Sequence, residues 1–194
     1  KENRPNLKNC IDVGSHIGFW SKDFTNLFTH TFAFDPIPQV RECYIKNITN
    51  SNYTLYPYGL GKENKKISVL YSPKETGNTH ASDKGNLEIE IKTIDTFNLP
   101  NIDYIKIDAE GYELEVLKGA EWTLAENRPM VVIEIKDKHF KRYGTEFLDG
   151  VKKHMEDRGY YIENVINSEA FFVHKSQKVR EFMNQKVYAR EHSK

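Results

Sequence analysis

Short β-type runs alternate with helical patterns from residue 9 to residue 58, and this alternation constrains the fold more than any other feature. Strand, helix, strand, helix and strand are predicted in turn over Asn9–Val13, Ile17–Phe28, Thr31–Phe34, Val40–Ile48 and Tyr53–Tyr58. Successive strands in such a series lie parallel, because each helix returns the chain to the same edge of the sheet. The pattern therefore predicts the first half of a doubly wound α/β sheet.

The alternation resumes after an interruption in the middle of the chain. Strands are predicted over Ile67–Tyr71 and Leu87–Ile91, and the polar stretch between them, residues 72–86, is predicted to be a flap or loop insertion over the functional site. The later elements are predicted over Tyr104–Ile107, Glu113–Leu124, Met130–Ile135, Phe147–Met155, Tyr160–Ile166 and Ala170–His174, with a last helix within residues 177–190. No linker interrupts the series, so residues 1–194 are predicted to form one domain.

Composition argues against several classes of function. The 28 basic and 28 acidic residues balance, so neither nucleic acid nor a membrane surface is an expected partner. The two cysteines, Cys10 and Cys43, are too few for a disulfide framework and predict a reducing, cytoplasmic location. No apolar run approaches the ~20 residues of a membrane-spanning helix.

The most informative motif is Asp12-Val13-Gly14-Ser15-His16-Ile17-Gly18, which follows a strand and opens a helix. Gly14 permits a sharp turn and the close approach of a ligand to the backbone. Gly18 is predicted in the first helical turn, where exposed amides can hold a carboxylate. His16 is predicted to cap the helix or to form a hydrogen bond within the turn.

This turn departs from the dinucleotide fingerprint G-x-G-x-x-G. Asp12 occupies the position of the first glycine, which a pyrophosphate needs, and Gly18 follows Gly14 by four residues rather than three. S-adenosylmethionine has no phosphate, and its ammonium group can meet Asp12 directly or through water. We therefore predict that this cofactor binds at Asp12, Gly14, Ser15, His16 and Gly18.

Asp35 ends the second predicted strand, about 20 residues beyond the turn, where an acid can accept hydrogen bonds from both ribose hydroxyls. Its alternative role is the N-cap of the helix that starts near Ile37, with Pro36 in the first turn. The preceding glycine turn favours the ribose role, and Asp35 and Pro36 are assigned to the cofactor site.

Two carboxylates, Asp108 and Glu110, follow the strand Tyr104–Ile107, at the edge where open α/β sheets bind ligands. Four segments closely resemble, in order, the FkbM-type methyltransferases: DVGSHIG (12–18), FDPIP (34–38), YPYGLG (56–61) and IKIDAEGYELEVLKGA (105–120). The resemblance runs from about Asn9 to Ile135, and its last segment is the most specific.

The resemblance implies a Rossmann-like class I methyltransferase fold, with helices on both faces of a mostly parallel seven-stranded sheet whose last strand is antiparallel. It also implies methyl transfer to a hydroxyl oxygen, commonly on a sugar or a secondary metabolite. By matching position, Gly14, Asp35 and the Tyr58-Gly59 turn would line the cofactor pocket. Asp108 and Glu110 would face the transferring methyl group.

A hydroxyl is a weak nucleophile, so a positioned base should accelerate transfer by roughly 10²–10⁴. Asp108 and Glu110 are the leading candidates, followed by Glu134 at the end of the fifth parallel strand. These carboxylates could instead bind a divalent cation, but no third ligand is evident, and no metal is expected. Glu110 could also cap the following helix.

Two histidines lie near these acids or in the predicted flap. His80 is interpreted as an exposed loop residue, with substrate contact as its alternative. His139 follows Glu134 closely and allows either interpretation.

The predicted function is O-methylation of a hydroxyl on a sugar, a glycan or a small metabolite. Three alternative functions compete with it. Base-modifying enzymes often carry Asn/Asp-Pro-Pro-aromatic where this chain has Asp108-Ala109-Glu110-Gly111, which disfavours a nucleic-acid methyltransferase. The broken fingerprint disfavours an NAD-dependent oxidoreductase. A non-catalytic adaptor that keeps the fold stays open, as does an oligomer formed through the last helix.

Overall fold

A computed structural model describes residues 7–136 and 146–177 of the chain. The predicted series appears as strand β1 (Asn9–Val13), helix α1 (Ser21–Leu27), strand β2 (His30–Phe34), helix α2 (Pro38–Asn47) and strand β3 (Tyr53–Tyr56). The order of these elements is confirmed. The first helix begins at Ser21 rather than at Ile17, because Gly18 adopts a left-handed φ of 87° and the turn continues past it.

The middle of the chain forms a second, smaller sheet. It contains β4 (Gly59–Leu60), β5 (Lys65–Leu70), β6 (His80–Ala81) and β7 (Leu87–Lys92), in the order β4-β7-β5-β6. Residues 72–86, called the flap from here on, hold a 3-10 turn at Thr76–Asn78 and strand β6, so the stretch is less irregular than predicted. Exposure alternates along β5, which turns Val69 inward and its neighbours Ser68 and Leu70 outward.

The second half of the chain returns to the central sheet. Its elements are β8 (Ile102–Ile107), α3 (Glu113–Lys118), α4 (Glu121–Asn127), β9 (Met130–Glu134), α5 (Glu146–Glu156), β10 (Tyr160–Ile166) and β11 (Glu169–His174). The single helix predicted over Glu113–Leu124 is wrong, because the chain breaks at Gly119 into α3 and α4. A Cβ at Gly119 would lie 2.0 Å from the carbonyl oxygen of Gly61, so only glycine allows this close passage.

Seven strands form the central sheet in the order β10-β11-β9-β8-β1-β2-β3. The pairs from β9 to β3 are parallel, and β11 is antiparallel to both β9 and β10. The predicted mostly parallel sheet with an antiparallel last strand is therefore confirmed. Its central strands are nearly continuous apolar runs because both of their faces are buried.

Helices cover both faces of this sheet. On one face, α3 and α5 pack through residues such as Val116 and Val151 against the apolar side chains of β1, β8 and β9. On the other face, α1 packs through Phe24 against Tyr104 and Val132. The chain order reverses between β1 and β8, and such a switch point opens a crevice at the carboxyl ends of the strands.

No helix within the two described ranges has both the length and the apolar character needed to cross a membrane. The helix predicted within residues 177–190 lies, beyond Gln177, outside the described residues, and so does His139. The single-domain organisation stays a prediction.

Candidate active site

A cleft opens at the carboxyl edge of the central sheet, with the second sheet and the flap as its other side. Its free space, counted together with the solvent at its open mouth, is about 820 Å³. The flap contributes Thr76 and His80 to its lining. The predicted site residues that line it are Gly14, His16, Asp35, Pro36, Tyr58, Gly59, Asp108 and Glu110.

The glycine turn forms the base of the cleft. Gly14 has a φ of 70°, and a Cβ at this position would lie 1.9 Å from the carbonyl oxygen of Asp108. The amides of Gly14 and Ser15 both donate to the carbonyl of Phe34, at 3.0 Å. The turn thus joins the carboxyl ends of β1, β2 and β8, and only glycine fits at its centre.

Other amides of the turn are also satisfied inside the protein. The amide of Gly18 donates to the carbonyl of Ser15 at 2.9 Å, and the amide of His16 donates to Asp35 Oδ2 at 3.1 Å. The prediction that Gly18 lies at a helix start with amides open to a carboxylate is wrong, because α1 begins only at Ser21.

Three residues predicted to bind the cofactor are not among those that line the cleft. Asp12 is 1% exposed and accepts a 2.5 Å hydrogen bond from the Ser21 hydroxyl. Burial raises the pKa of Asp12 to about 6. Ser15 is buried, and Gly18 faces α2, where a Cβ would lie 2.9 Å from Ile48 Cδ1. These residues shape the turn from beneath, and Asp12 is too deep for direct contact with a ligand ammonium.

Asp35 closes the turn before α2 and also lines the cleft, where its predicted ribose role stays a prediction. Its Oδ1 accepts the amide of Ile37 at 2.8 Å, which closes the turn that precedes α2. The helix itself begins at Pro38, so Pro36 lies before its first turn rather than in it. Burial raises the pKa of Asp35, although the hydrogen bonds from the amides of Ile37 and His16 oppose this rise. Each carboxylate oxygen has a second lone pair, so Asp35 can still accept hydrogen bonds from a ligand in the cleft.

His16 connects the glycine turn to the flap. Its Nε2 lies 2.8 Å from Oγ1 of Thr76, a residue 60 positions further along the chain. The structure differs from the hydrogen bond predicted for His16 within the turn, because its amide donates to Asp35, which follows β2, and its ring reaches across to the flap. This contact holds the flap against the turn as one wall of the cleft.

A second wall of the cleft, the apolar wall, consists of packed aliphatic side chains. Tyr58 and Gly59 lie beside it, and a Cβ at Gly59 would lie 2.6 Å from Ile91 Cδ1. The members of the apolar wall are Ile37, Val40, Val69, Ile89 and Ile91. Such an apolar surface can pack against a flat ring that carries few charges.

Three carboxylates lie close together at the carboxyl ends of β8 and β9. Asp108, Glu110 and Glu134 each place an oxygen within 4.8 Å of the others. Asp108 and Glu110 line the cleft, whereas Glu134 is not among the lining residues. The ammonium of Lys136 lies 3.6 Å from Glu110 and also contacts Glu134. Burial and then the neighbouring Asp108 carboxylate raise the pKa of Glu134 to about 7.

The charge of this group is partly balanced by lysine. Burial alone would lower the pKa of Lys136, but the surrounding carboxylates raise it, so the ammonium stays charged. The sequence pointed to Glu134 as a further candidate base but to no third metal ligand beside Asp108 and Glu110, and the structure corrects the latter, because β9 carries the Glu134 carboxylate to them.

Glu113 is a residue of the site that sequence reasoning missed. It is fully buried, and its Oε1 accepts the amides of Ala109 at 3.1 Å and Gly111 at 3.0 Å. These bonds fix the loop that presents Asp108 and Glu110. The signal of Glu113 in the sequence was an acid in the first turn of the predicted helix; the N-cap of α3 is Tyr112, which has no side-chain cap hydrogen bond.

Lys106 was missed as well. Its side chain is fully buried, and its Nζ lies 3.3 Å from Glu169 Oε1 and 5.6 Å from the centre of the Trp20 ring. A lysine inside the predicted strand Tyr104–Ile107 was the available signal, because lysine is almost never fully buried without a partner. The partner, Glu169, comes from β11 and could not be identified from the local pattern.

The sequence of the chain is similar to those of known proteins. The sequence model of the methyltransferase FkbM domain matches residues 12–162. The hexuronic acid methyltransferase AglP of Haloferax volcanii is 32% identical over 131 residues, which cover 64% of this chain and 54% of that protein. The chain therefore spans about half the length of this curated relative.

Solved structures support the same fold. Methyltransferase FkbM of Methylobacillus flagellatus KT matches with a TM-score of 0.63 at 20% identity, covering 87% of this chain and 44% of that one. The magnesium protoporphyrin IX methyltransferase of Synechocystis PCC 6803, solved with bound S-adenosylmethionine, matches with a TM-score of 0.52 at 10% identity, covering 89% and 72%. Both likenesses confirm the Rossmann-like class I methyltransferase fold.

Proposed function

Because the chain belongs to the methyltransferase FkbM domain family, we propose that it transfers a methyl group from S-adenosylmethionine to a hydroxyl oxygen of a sugar, a glycan or a small metabolite. The observation that carries this proposal is the cleft, which joins the apolar wall, Asp35, Asp108 and Glu110 in one space. An adenosyl ligand with a positive charge and no phosphate needs these three kinds of surface together.

The residues of the cleft fit this cofactor. Asp35 can accept hydrogen bonds from the two ribose hydroxyls, and the apolar wall offers a surface to the adenine ring. The carboxylates of Asp108 and Glu110 favour a sulfonium or an ammonium nearby and would repel a pyrophosphate, since like charges in a partly buried site destabilise one another. Gly14 keeps the base of the cleft open, because any side chain there would meet the Asp108 carbonyl.

The bound cofactor would supply a methyl group that is already activated by its positive sulfur. The chain's own residues then have to hold the acceptor oxygen in line with that methyl group, which is the largest contribution open to them. We assign this task to Asp108 and Glu110, which line the cleft and can accept a hydrogen bond from an acceptor hydroxyl. Glu113 fixes their loop through two amides, and Lys136 holds the side chain of Glu110.

The acceptor class rests on the relatives and on charge. The name of the Haloferax volcanii relative supports a sugar-derived acceptor. The balance of 28 basic and 28 acidic residues supports an acceptor other than nucleic acid. A cytoplasmic location and an oligomer formed through the last helix stay predictions.

The cofactor is tested by ligand binding. S-adenosylmethionine and its demethylated product, each at about 100 times its dissociation constant, should stabilise the protein by about 2.7 kcal/mol in a thermal shift assay, and NAD should not. Asp35→Ala should weaken cofactor binding by roughly 10–150-fold, because it removes hydrogen bonds to a charged acceptor. Asp149→Ala, an exposed position on α5, is the matched control and should bind normally. Equal affinities of the two variants would exclude Asp35 from the cofactor site.

The transfer itself is tested with labelled cofactor. We expect the methyl label to appear on p-nitrophenyl β-D-glucuronide or p-nitrophenyl β-D-glucoside, and mass spectrometry should locate it on a hydroxyl oxygen. Cofactor binding without transfer to either probe would keep the methyltransferase assignment and remove the sugar acceptor.

A further inference from the structure

We infer that His80 takes the proton of the acceptor hydroxyl during methyl transfer, an inference that rests on the function proposed above. The sequence interpreted His80 as an exposed loop residue, and the structure corrects this. His80 is half-buried in strand β6 and lines the same cleft as Asp108 and Glu110.

The flap is anchored on both sides of His80. On one side, Thr76 contacts the ring of His16 at 2.8 Å. On the other side, β6 pairs with β5, with Leu70 opposite His80 and Val69 opposite Ala81. Because Thr76 lies only four residues before His80, these two anchors fix the backbone of His80 at the cleft wall.

The hydrogen bond of the His80 ring defines which nitrogen is basic. Nδ1 lies 2.7 Å from the carbonyl oxygen of Asn78. A carbonyl oxygen can only accept, so Nδ1 carries the hydrogen and donates it. In the neutral ring the lone pair is then on Nε2, which is the form that a proton acceptor needs.

The carboxylates of the site are less suited to this task. Glu134, whose pKa is raised to about 7, has the required basicity but is not among the residues that line the cleft. Glu110 lines the cleft, but its carboxylate forms an ion pair with the ammonium of Lys136 at 3.6 Å. Asp108 and Glu110 therefore suit the holding of the hydroxyl, and histidine is the side chain that most often accepts the proton in such reactions.

The step balances as follows. The acceptor oxygen forms a bond to the methyl carbon, while the bond between that carbon and the sulfur breaks and leaves its electron pair on sulfur. The hydroxyl proton passes to Nε2 of His80, which becomes an imidazolium and later returns the proton to water. No oxidant, reductant or further co-reactant is needed.

The test compares His80→Gln with His174→Gln. His174 ends β11, where it pairs with Tyr160, at the edge of the sheet opposite the cleft. The acceptor is p-nitrophenyl β-D-glucuronide or p-nitrophenyl β-D-glucoside, whichever the wild-type protein methylates faster, and cofactor affinity is measured separately by calorimetry. We expect His80→Gln to lower kcat by about 10²–10⁴ with cofactor affinity unchanged, and His174→Gln to match the wild type.

A second variant separates proton transfer from simple packing. His80→Ala should regain activity when free imidazole is added, which a purely structural role for the ring would not produce. If the wild type methylates the probe and His80→Gln keeps its kcat, the inference about His80 is wrong while the proposed function stands. If the wild type methylates neither probe, the proposed sugar acceptor fails and the inference fails with it.

Discussion

Removal of one partner of the buried ion pair between Lys106 and Glu169 should cost much stability. Lys106 Nζ lies 3.3 Å from Glu169 Oε1, and the two side chains are 1% and 11% exposed. Two unit charges at this distance interact by about 5 kcal/mol at an effective dielectric constant of about 20. The ammonium also lies 5.6 Å from the Trp20 ring centre and 3.5 Å from the Ile107 carbonyl, and it interacts electrostatically with Asp12 and Glu134. Glu169→Gln should therefore lower the free energy of unfolding by about 3–5 kcal/mol.

The assay is equilibrium denaturation in guanidinium chloride, followed by tryptophan fluorescence because Trp20 lies next to the Lys106 ammonium. The matched control is Glu88→Gln. Glu88 pairs with Lys66 at 2.8 Å, but these side chains are 62% and 69% exposed. Exposed pairs contribute about 0–1 kcal/mol, so this control should change stability little.

A double variant tests whether the cost comes from an isolated buried charge. Lys106→Met combined with Glu169→Leu removes both charges and keeps apolar volume, so stability should recover most of the loss seen in Glu169→Gln. The reasoning would be refuted if Glu169→Gln were no more costly than Glu88→Gln. A double variant that loses as much stability as Glu169→Gln would also refute it.

Two further predictions concern the turn and the carboxylate group. Gly14→Ala should cost about 3 kcal/mol or more in unfolding experiments and abolish cofactor binding, because its Cβ would lie 1.9 Å from the Asp108 carbonyl at a φ of 70°; calorimetry that shows normal binding would contradict this. Glu134 has a folded-state pKa of about 7 against an ordinary value of 4.5, so the folded state binds the extra proton and stability falls as the pH rises through this window. Glu134→Gln should flatten that slope in urea denaturation between about pH 5 and about pH 8, and an unchanged slope would assign it to other groups.

Much of the fold could be predicted from local pattern. The strands β1, β8 and β9 are rich in apolar residues because both of their faces are buried, and the helices between them follow a different period. The boundaries were less secure at glycines. The helices predicted over Ile17–Phe28 and Glu113–Leu124 ran wrongly through Gly18 and Gly119, because the conformations of these glycines depend on close contacts with α2 and with Gly61.

The cleft itself was only partly predictable. Gly14, Asp35 and Asp108 follow the ends of strands, and parallel strands end at one edge, so their proximity follows from the order of the elements. Whether a given residue of the turn faces the cleft does not follow from that order. Asp12 and Ser15 are buried beneath the turn. Successive side chains of a strand point to opposite faces of the sheet, and the residues that pack on each face come from distant parts of the chain.

The sequence by itself determined the order of strands and helices, the glycine turn that departs from the dinucleotide fingerprint, and the acids at the strand ends. All of these depend on residues close together in the chain. Only the tertiary structure decided which charges meet. The contact of His16 with Thr76, the pair of Lys106 with Glu169 and the approach of β9 to β8 each join residues far apart in the chain. The physical reason is that periodicity reports which face of an element is buried, whereas the partner on that face is set by how the elements pack.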